Sequence, residues 1–474
     1  MENHKKFYIN GAWVDPIDST DFDVINPATE EPVATIALGS KADLDNAVAA
    51  AKNAFKTWQF STVEERVSLL ERMIETYSAR GEEFIETMSR EMGTTISFSR
   101  EVHMPVGIGH LEAAIEAVKA HQFERPSLRG GSLLVDEAVG VVGMITPWNW
   151  PVNQIMIKVA PALAAGCTIV LKPSEYSPLS SIMMAEIIDE AGCPPGVYNM
   201  VTGDGPGVGE AISAHQDIDM VSFTGSTRAG KAVTKAAADT IKRVTLELGG
   251  KSPNLLFADA NLEEAAQISV DACFINNGQS CDAASRLLVE RSVYDEVVGL
   301  VKDVVEKTKV GDPMEVGDHI GPVVNKKQYE HVQKLIQAGI DDGAKLAVGG
   351  LGRPQGFNKG YYIRPTLFTD VNNDMNIARQ EVFGPVLAVL PFDTEDEAVE
   401  IANDTPYGLA AYIQSSDADR INRVSRKLRA GVVNANGNAG DYDVPFGGYK
   451  ESGNGREAGA MGFHEYLETK AITM

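Results

Sequence analysis

The stretch NNGQSCDAAS at 276–285 holds one of only four cysteines in 474 residues. A lone cysteine in a soluble chain is ordinarily a small buried hydrophobe. Cys281 therefore counts as a nucleophile only if other groups supply what thiol chemistry needs. TPWNWP at 146–151 brackets Asn149 with two prolines and two tryptophans. The prolines stiffen the backbone and the indoles add bulk, so a fixed amide there could donate to a developing oxyanion. A tight aromatic turn in which Asn149 caps the next helix reads the same residues differently. LELGGKSP at 246–253 puts Glu247 at the end of an apolar strand, where a carboxyl tends to a raised pKa and can act as a general base.

Other residues suit a dinucleotide. SFTGSTRAG at 222–230 is a strand ending in a turn before a helix, and amides at a helix N-terminus hold pyrophosphate, with Gly225 and Gly230 allowing close approach and Ser226 at the turn. An ordinary strand-to-helix turn fits equally well. In LKPSE, Lys172 and Glu175 follow a strand and could bind ribose hydroxyls; the carboxylate would repel a 2′-phosphate, which favours NAD and leaves NADP open. A surface ion pair is the plainer reading. EVFGPV offers Glu381 for a sugar hydroxyl and Phe383 for a flat ring. GDGPGVG at 203–209 is glycine-dense but does not fit GxGxxG, and reads as a loop. A thiol, an oxyanion donor, a base and a dinucleotide site suffice to oxidise an aldehyde through a thioester, with no metal. The glycine and the small Ser280 before Cys281 would leave room for aldehyde and nicotinamide to close on the sulfur.

The elements that must position these groups alternate. Segment 43–55 has helical spacing with Asp43 placed as a cap, and 63–89 continues as helix with Val67, Leu70, Ile74 and Tyr77 on one face. From about 140, GVVGMITP, CTIVLKPS, YNMVTG, MVSFTG and RVTLELGG are short β-rich runs separated by helical stretches such as 154–165 and 229–238, which implies βαβ units and a parallel sheet. A second series starts at 285 with RLLVE, a helix over 293–308, then YYIRPTLF, PVLAVLPF and GLAAYIQS. Stretch 120–138 fits neither series, and 463–474 alternates like a strand with no partner nearby.

Composition narrows the setting. A hydrophobic content of 44% with 23% charged residues is that of a globular protein, and the length allows two or three domains. A net charge of −24 repels phosphate backbones, so nucleic acid is not expected as a partner. No run reaches the roughly 18 apolar residues needed to cross a bilayer, and no secretory segment is evident. The cysteines (Cys167, Cys193, Cys273, Cys281) have no zinc-like spacing or disulfide framework, which suits a reducing cytoplasm.

In their order along the chain, PWNWP, KPSE, FTGS, LELGGKSP, NNGQSC, EVFGPV and PFGGYKESGNGRE resemble the motifs of the NAD(P)-dependent aldehyde dehydrogenase superfamily of hydrolytic, non-acylating type. The resemblance spans essentially the whole sequence. It implies an α/β fold with a Rossmann-like dinucleotide-binding domain (1–119 and 139–248), an α/β catalytic domain (249–445) and a small β-rich oligomerisation element (120–138 and 446–474). It also implies a homodimer or homotetramer in which that element joins a neighbour's sheet and gives the C-terminal strand its partner.

Carried over by motif, Cys281 is the nucleophile, Asn149 and the Cys281 N–H form the oxyanion hole, and Glu247 activates water. Lys158 and Glu457 resemble a proton-relay pair. Lys172 and Glu175 fall at the adenosine ribose, Gly225 and Ser226 at the pyrophosphate, and Glu381 with Phe383 at the nicotinamide ribose. Thr146, Pro147 and Trp148 lie beside the cofactor. Trp148 also falls where the family lines its substrate tunnel, as do Gln154, Ile157, Asp282 and Phe446. Trp150 stands where phenylalanine is more usual, and Asp282 is an acid next to the thiol, able to raise its pKa or shape substrate choice. Three rivals to hydrolytic aldehyde oxidation are a CoA-acylating enzyme, which Glu247 argues against, a cofactor-free cysteine hydrolase, which leaves the nucleotide motifs unexplained, and a catalytically silent structural or binding protein on the same fold, which the complete catalytic set argues against.

Overall fold

The computed structural model describes residues 3–474, and its centre is two largely parallel sheets. The first runs in the spatial order Gly453–Asn454, Arg243–Glu247, Met220–Thr224, Val141–Ile145, Thr168–Lys172, Tyr198–Met200, Phe7–Ile9, Ala12–Val14. Its five central strands are parallel, and the order along the chain reverses between Val141–Ile145 and Met220–Thr224. Ligands of open α/β sheets bind at such a switch point, outside the carboxyl ends of the strands. TPWN and GSTR follow those two strands.

The second sheet is ordered Lys345–Val348, Thr366–Thr369, Val386–Phe392, Arg286–Glu290, Pro253–Leu256, Ala410–Gln414, Val432–Ala435. Both sheets are covered on both faces, as parallel strands require. Val142 and Met144 enter one core while Val141 and Ile145 enter another. Leu288 likewise packs on one side of the second sheet and Leu287 and Val289 on the other.

The structure corrects several expectations. Pro253–Leu256, at the middle of the second sheet, is absent from the sequence reading, which attends to the glycines and lysine before it. Of YYIRPTLF only the last three residues are strand, the start of Thr366–Thr369. The first helix spans Lys41–Trp58 and its cap is Ser40; Asp43 is the third residue, which completes a capping box by accepting from the Ser40 N–H. The 63–89 stretch is two helices, Val63–Ala79 and Gly81–Met92, broken at Arg80.

The C-terminal strand, Leu467–Ile472, finds its partner within its own chain: it pairs antiparallel with Leu133–Ala138, which in turn pairs with Glu124–Pro126. Residues 463 and 464 belong to the preceding helix, Gly459–His464. Segment 446–474 is thus divided, with Gly453–Asn454 on the edge of the first sheet and Leu467–Ile472 in this small one. No described helix is long and apolar enough to cross a membrane.

Candidate active site

The loop carrying Cys281 reverses sharply after the Leu262–Phe274 helix. Asn276 (φ 52°), Asn277 (φ 61°) and Gly278 (φ 75°) are successive left-handed residues. Asparagine tolerates that region better than other side chains, and here each one repays it with hydrogen bonds. Asn277 Nδ2 donates to the carbonyls of Gly93 (2.9 Å) and Pro322 (3.1 Å), while its Oδ1 accepts from the Gly321 N–H (2.6 Å). Gln279 Oε1 accepts from the Val324 N–H (2.9 Å). Gly278 is packed on backbone: a Cβ there would lie 2.1 Å from the Gly384 carbonyl carbon. Gly278 is therefore needed for close packing against the Gly384 backbone and leaves no empty space there.

Asn149 lies between the Val141–Ile145 strand and the Pro151–Ala165 helix, whose first flanking residue is Trp150. Asn149 does not cap that helix. Its Nδ2 donates to the Gln279 carbonyl (3.0 Å), which leaves a second amide proton, and its own carbonyl accepts from Asn276 Nδ2 (2.7 Å). The two loops thus hold each other by their amides.

Glu247 ends the Arg243–Glu247 strand, is 3% exposed, and neither carboxylate oxygen has a hydrogen-bond partner. Burial, reinforced by the nearby Glu457 carboxylate, holds its pKa well above the usual range against the pull of Lys158 and Arg456. Lys158, fully buried, is ion-paired with Glu457 Oε1, while Glu457 Oε2 has no partner. Phe446 and Glu457 exchange both backbone hydrogen bonds (2.8 and 2.7 Å), and a Cβ on the next residue, Gly447, would come within 2.6 Å of Glu247 Oε1. Sequence positions 158, 247, 446 and 457 are thereby brought together.

Cys281 is partly open to solvent. Loss of hydration pushes the thiol well above its ordinary pKa, and the carboxylates of Asp282, Glu381 and Glu247 push the same way. The glycine pair after Glu247 sits between these groups. The Gly250 N–H donates to Glu381 Oε1 (3.0 Å), and a Cβ on Gly250 would meet the Cys281 carbonyl oxygen at 2.3 Å. Burial raises Glu381 to about 7, opposed by the Gly250 N–H and by Lys251.

At the switch point, Lys172 is buried, so the surface ion pair reading falls. Its Nζ donates to the carbonyls of Pro173 (2.8 Å) and Gly203 (2.7 Å) and lies 3.5 Å from Glu175. Ser226 caps the Thr227–Ala237 helix, its Oγ accepting from the Ala229 N–H (3.3 Å). Gly225 and Gly230 are required for packing, because a Cβ on either would strike Phe223 or Leu248 at 2.6 Å. The buried Thr224 hydroxyl beside this turn has no partner. Thr146 and Pro147 leave the neighbouring strand, the Thr146 N–H bonding the Lys172 carbonyl (3.1 Å), and the Trp148 ring meets Phe383 edge-on at 5.4 Å. The exposed helix start, the unpartnered hydroxyl and the two acids fit a dinucleotide. The GDGPGVG stretch is a loop and one wide helical turn, capped by Asp204.

Gln154 and Ile157 are buried on the Pro151–Ala165 helix, with Gln154 one turn before Lys158. A cavity of about 1060 Å³ borders the cysteine loop at Asn276, Asn277 and Asp282; of the residues expected to line a tunnel, only Asp282 lines this cavity. Sequence reasoning missed Asn276, Asn277 and Gln279, whose signal was the NN pair inside a motif already quoted. It also missed His103, buried under Trp150 (ring centroids 4.4 Å) and 3.3 Å from Asn276 Oδ1, for which no sequence signal exists. Lys251 is likewise new: it is fully buried, has no partner for Nζ, and burial lowers it to about 7. Among the described residues no cluster could hold a metal ion.

Two α/β sheets, a braced thiol and a dinucleotide-type switch point define an oxidoreductase class, and comparison with known proteins gives the family. The family model described as "Aldehyde dehydrogenase family" matches residues 13–472. A curated relative, 3-succinoylsemialdehyde-pyridine dehydrogenase of a Pseudomonas species, is 49% identical over all of this chain and 99% of its own length. Among solved structures, an aldehyde dehydrogenase from Bartonella henselae is 51% identical with a TM-score of 0.98, covering 99% of each chain. Aldehyde dehydrogenase C from Pseudomonas syringae, a cysteine-to-alanine mutant complexed with NAD+ and octanal, is 49% identical with a TM-score of 0.98, covering 100% of this chain and 97% of that one. The chain belongs to the aldehyde dehydrogenase family.

Proposed function

We propose that this enzyme oxidises an aldehyde to the carboxylic acid with NAD, through a thioester on Cys281 that water hydrolyses. The observation that carries this reading is a partly open thiol on a loop to which the Asn149 amide is bonded with one proton free, within electrostatic reach of the buried, unpartnered Glu247 carboxyl. The Cys281 thiolate forms a bond to the carbonyl carbon, and the resulting oxyanion is held by Asn149 Nδ2 and the Cys281 N–H. Bound NAD+ supplies the acceptor for the hydride lost from that carbon. Lys172 and Glu175 would hold the adenosine ribose, Gly225 and Ser226 the pyrophosphate, and Glu381 with Phe383 the nicotinamide ribose, beside Thr146, Pro147 and Trp148. The Glu175 carboxylate disfavours a 2′-phosphate, so NAD is the expected cofactor.

Glu247 then takes a proton from water as the new C–O bond forms and the C–S bond breaks, which releases the acid and the thiolate. The Lys158–Glu457 pair, beside Glu247, would carry the proton away. A base poised for water supports hydrolysis over acyl transfer to CoA. Trp148, Gln154, Ile157, Asp282 and Phe446 are read as the walls met by the substrate.

The domain reading accompanies this: a dinucleotide-binding unit (1–119, 139–248), a catalytic unit (249–445) and an oligomerisation element (120–138, 446–474). The small sheet ends in unpaired edges with Leu128 and Ile472 exposed, which supports a homodimer or homotetramer, here placed in the cytoplasm. Cys281→Ala is expected to abolish NADH formation from any aldehyde while NAD+ still binds by calorimetry. Wild-type turnover in that variant would overturn the assignment.

A further inference from the structure

Asp282 borders the large cavity through a hydrogen-bond chain whose direction is fixed. Trp150 Nε1 donates to Ser280 Oγ (3.1 Å), and an indole N–H can only donate. The Ser280 hydroxyl proton is therefore free for Asp282 Oδ1, 2.5 Å away. The Tyr412 hydroxyl donates to the Asp282 carbonyl (3.1 Å) and fixes the residue from the other side. Trp150, the base of the chain, is itself packed between His103 and Phe98. The result is an immobilised anion one residue from the thiol.

The cavity wall agrees in sign. It carries the acids Glu101, Asp271, Asp282 and Asp318 against Lys307, Lys309 and the imidazole of His319. Lys307 ends the Tyr294–Lys307 helix, and the Lys309 carbonyl accepts from the Ile320 N–H (3.0 Å), next to the Gly321 that braces Asn277; Asp282 is the charged residue adjacent to the thiol in the chain. The wall formed by 434–439 contributes amide and small side chains and no cation.

We infer that Asp282 selects substrates by charge: the site takes aldehydes bearing an ammonium or quaternary ammonium group a few bonds from the carbonyl and disfavours those ending in a carboxylate. This rests on Cys281 being the nucleophile. A fixed anion in a partly desolvated cavity attracts a cation and repels an anion far more than at the open surface. Asp282 also opposes ionisation of the neighbouring thiol, an effect that a bound cation offsets.

The test compares kcat/KM for 4-(trimethylammonio)butanal, succinic semialdehyde and pentanal in wild type, Asp282→Asn and Asp282→Glu. The wild type is expected to prefer the cation over the anion by about tenfold or more. The Asn variant keeps the shape and the Ser280 hydrogen bond, and should collapse that ratio; the Glu variant should keep its direction. Any general effect on the thiol moves all three aldehydes together and cancels from the ratio. A wild-type ratio of one or below, or an unchanged ratio in Asp282→Asn, overturns charge selection while pentanal oxidation leaves the dehydrogenase reading standing. Failure of the wild type to oxidise any of the three overturns both.

Discussion

Glu91 and Glu247 are both buried carboxyls, and loss of hydration is the first cause of the raised pKa of each. Their surroundings are otherwise opposite. Glu91, on the Gly81–Met92 helix, accepts from the Leu179 N–H (2.6 Å), the Ser180 N–H (3.0 Å) and the Ser180 hydroxyl. It thereby caps from outside the Pro178–Glu190 helix, whose own flanking Ser177 makes no side-chain cap. Glu247 has no donor on either oxygen, and its charged neighbours are the Lys158–Glu457 pair, Arg456 and Glu465. A buried polar group left unsatisfied is costly, and it persists where chemistry needs a free lone pair. Burial alone does not separate Glu91 from the proposed base Glu247; hydrogen-bond satisfaction distinguishes these two.

The strongest way to break this comparison is Glu247→Gln. As the base for hydrolysis, its loss should lower steady-state turnover on the order of 10²–10⁴-fold. Rapid mixing should still show a burst of NADH, because the acyl-enzyme forms before the base is needed. With no hydrogen bond to lose, it should be no less stable to urea than the wild type. A variant with normal turnover, or one that unfolds, removes the distinction.

Glu91→Ala should do the reverse. Removing the acceptor strands two backbone N–H groups at a buried helix start, at a cost of about 2–5 kcal/mol in urea unfolding. Turnover per folded molecule should not change, since Glu91 touches no proposed site residue. A loss of turnover without a loss of stability would place it in the wrong class.

The contrast also marks what the sequence could reveal. Cys281, Asn149 and Glu247 are proposed from sequence because each closes a short local pattern: a strand end, a glycine pair or a proline bracket. The parallel strands of the first sheet were legible from their apolar runs, which are buried on both faces. What escaped was non-local. Leu467–Ile472 pairs with Leu133–Ala138 across most of the chain, and periodicity carries no information about a partner. Pro253–Leu256 hid behind a motif read for its chemistry. The bracing by Asn276 and Asn277 depends on carbonyls of Asn149, Gly93 and Pro322, which only folding brings near. Glu91 had no signal at all, because its role depends on the start of a helix almost ninety residues later.

The smallest effect expected is in the pH dependence of stability. The Glu91 carboxyl rises from an ordinary 4.5 to about 7 in the folded protein. It binds its proton more tightly folded than unfolded. Its contribution is therefore fully present below about 4.5 and is lost as pH rises through about 7, by up to about 3 kcal/mol. In Glu91→Gln the amide imitates the protonated acid and cannot ionise. The stability of the wild type relative to this variant should fall as urea unfolding is repeated from about pH 5 to about pH 8. Glu247→Gln, replacing another acid with a raised pKa, should give a slope of the same sign. If the Glu91 difference is flat with pH, its three donors already keep it ionised, and satisfaction by hydrogen bonds would separate the two acids even more sharply than their common burial suggests.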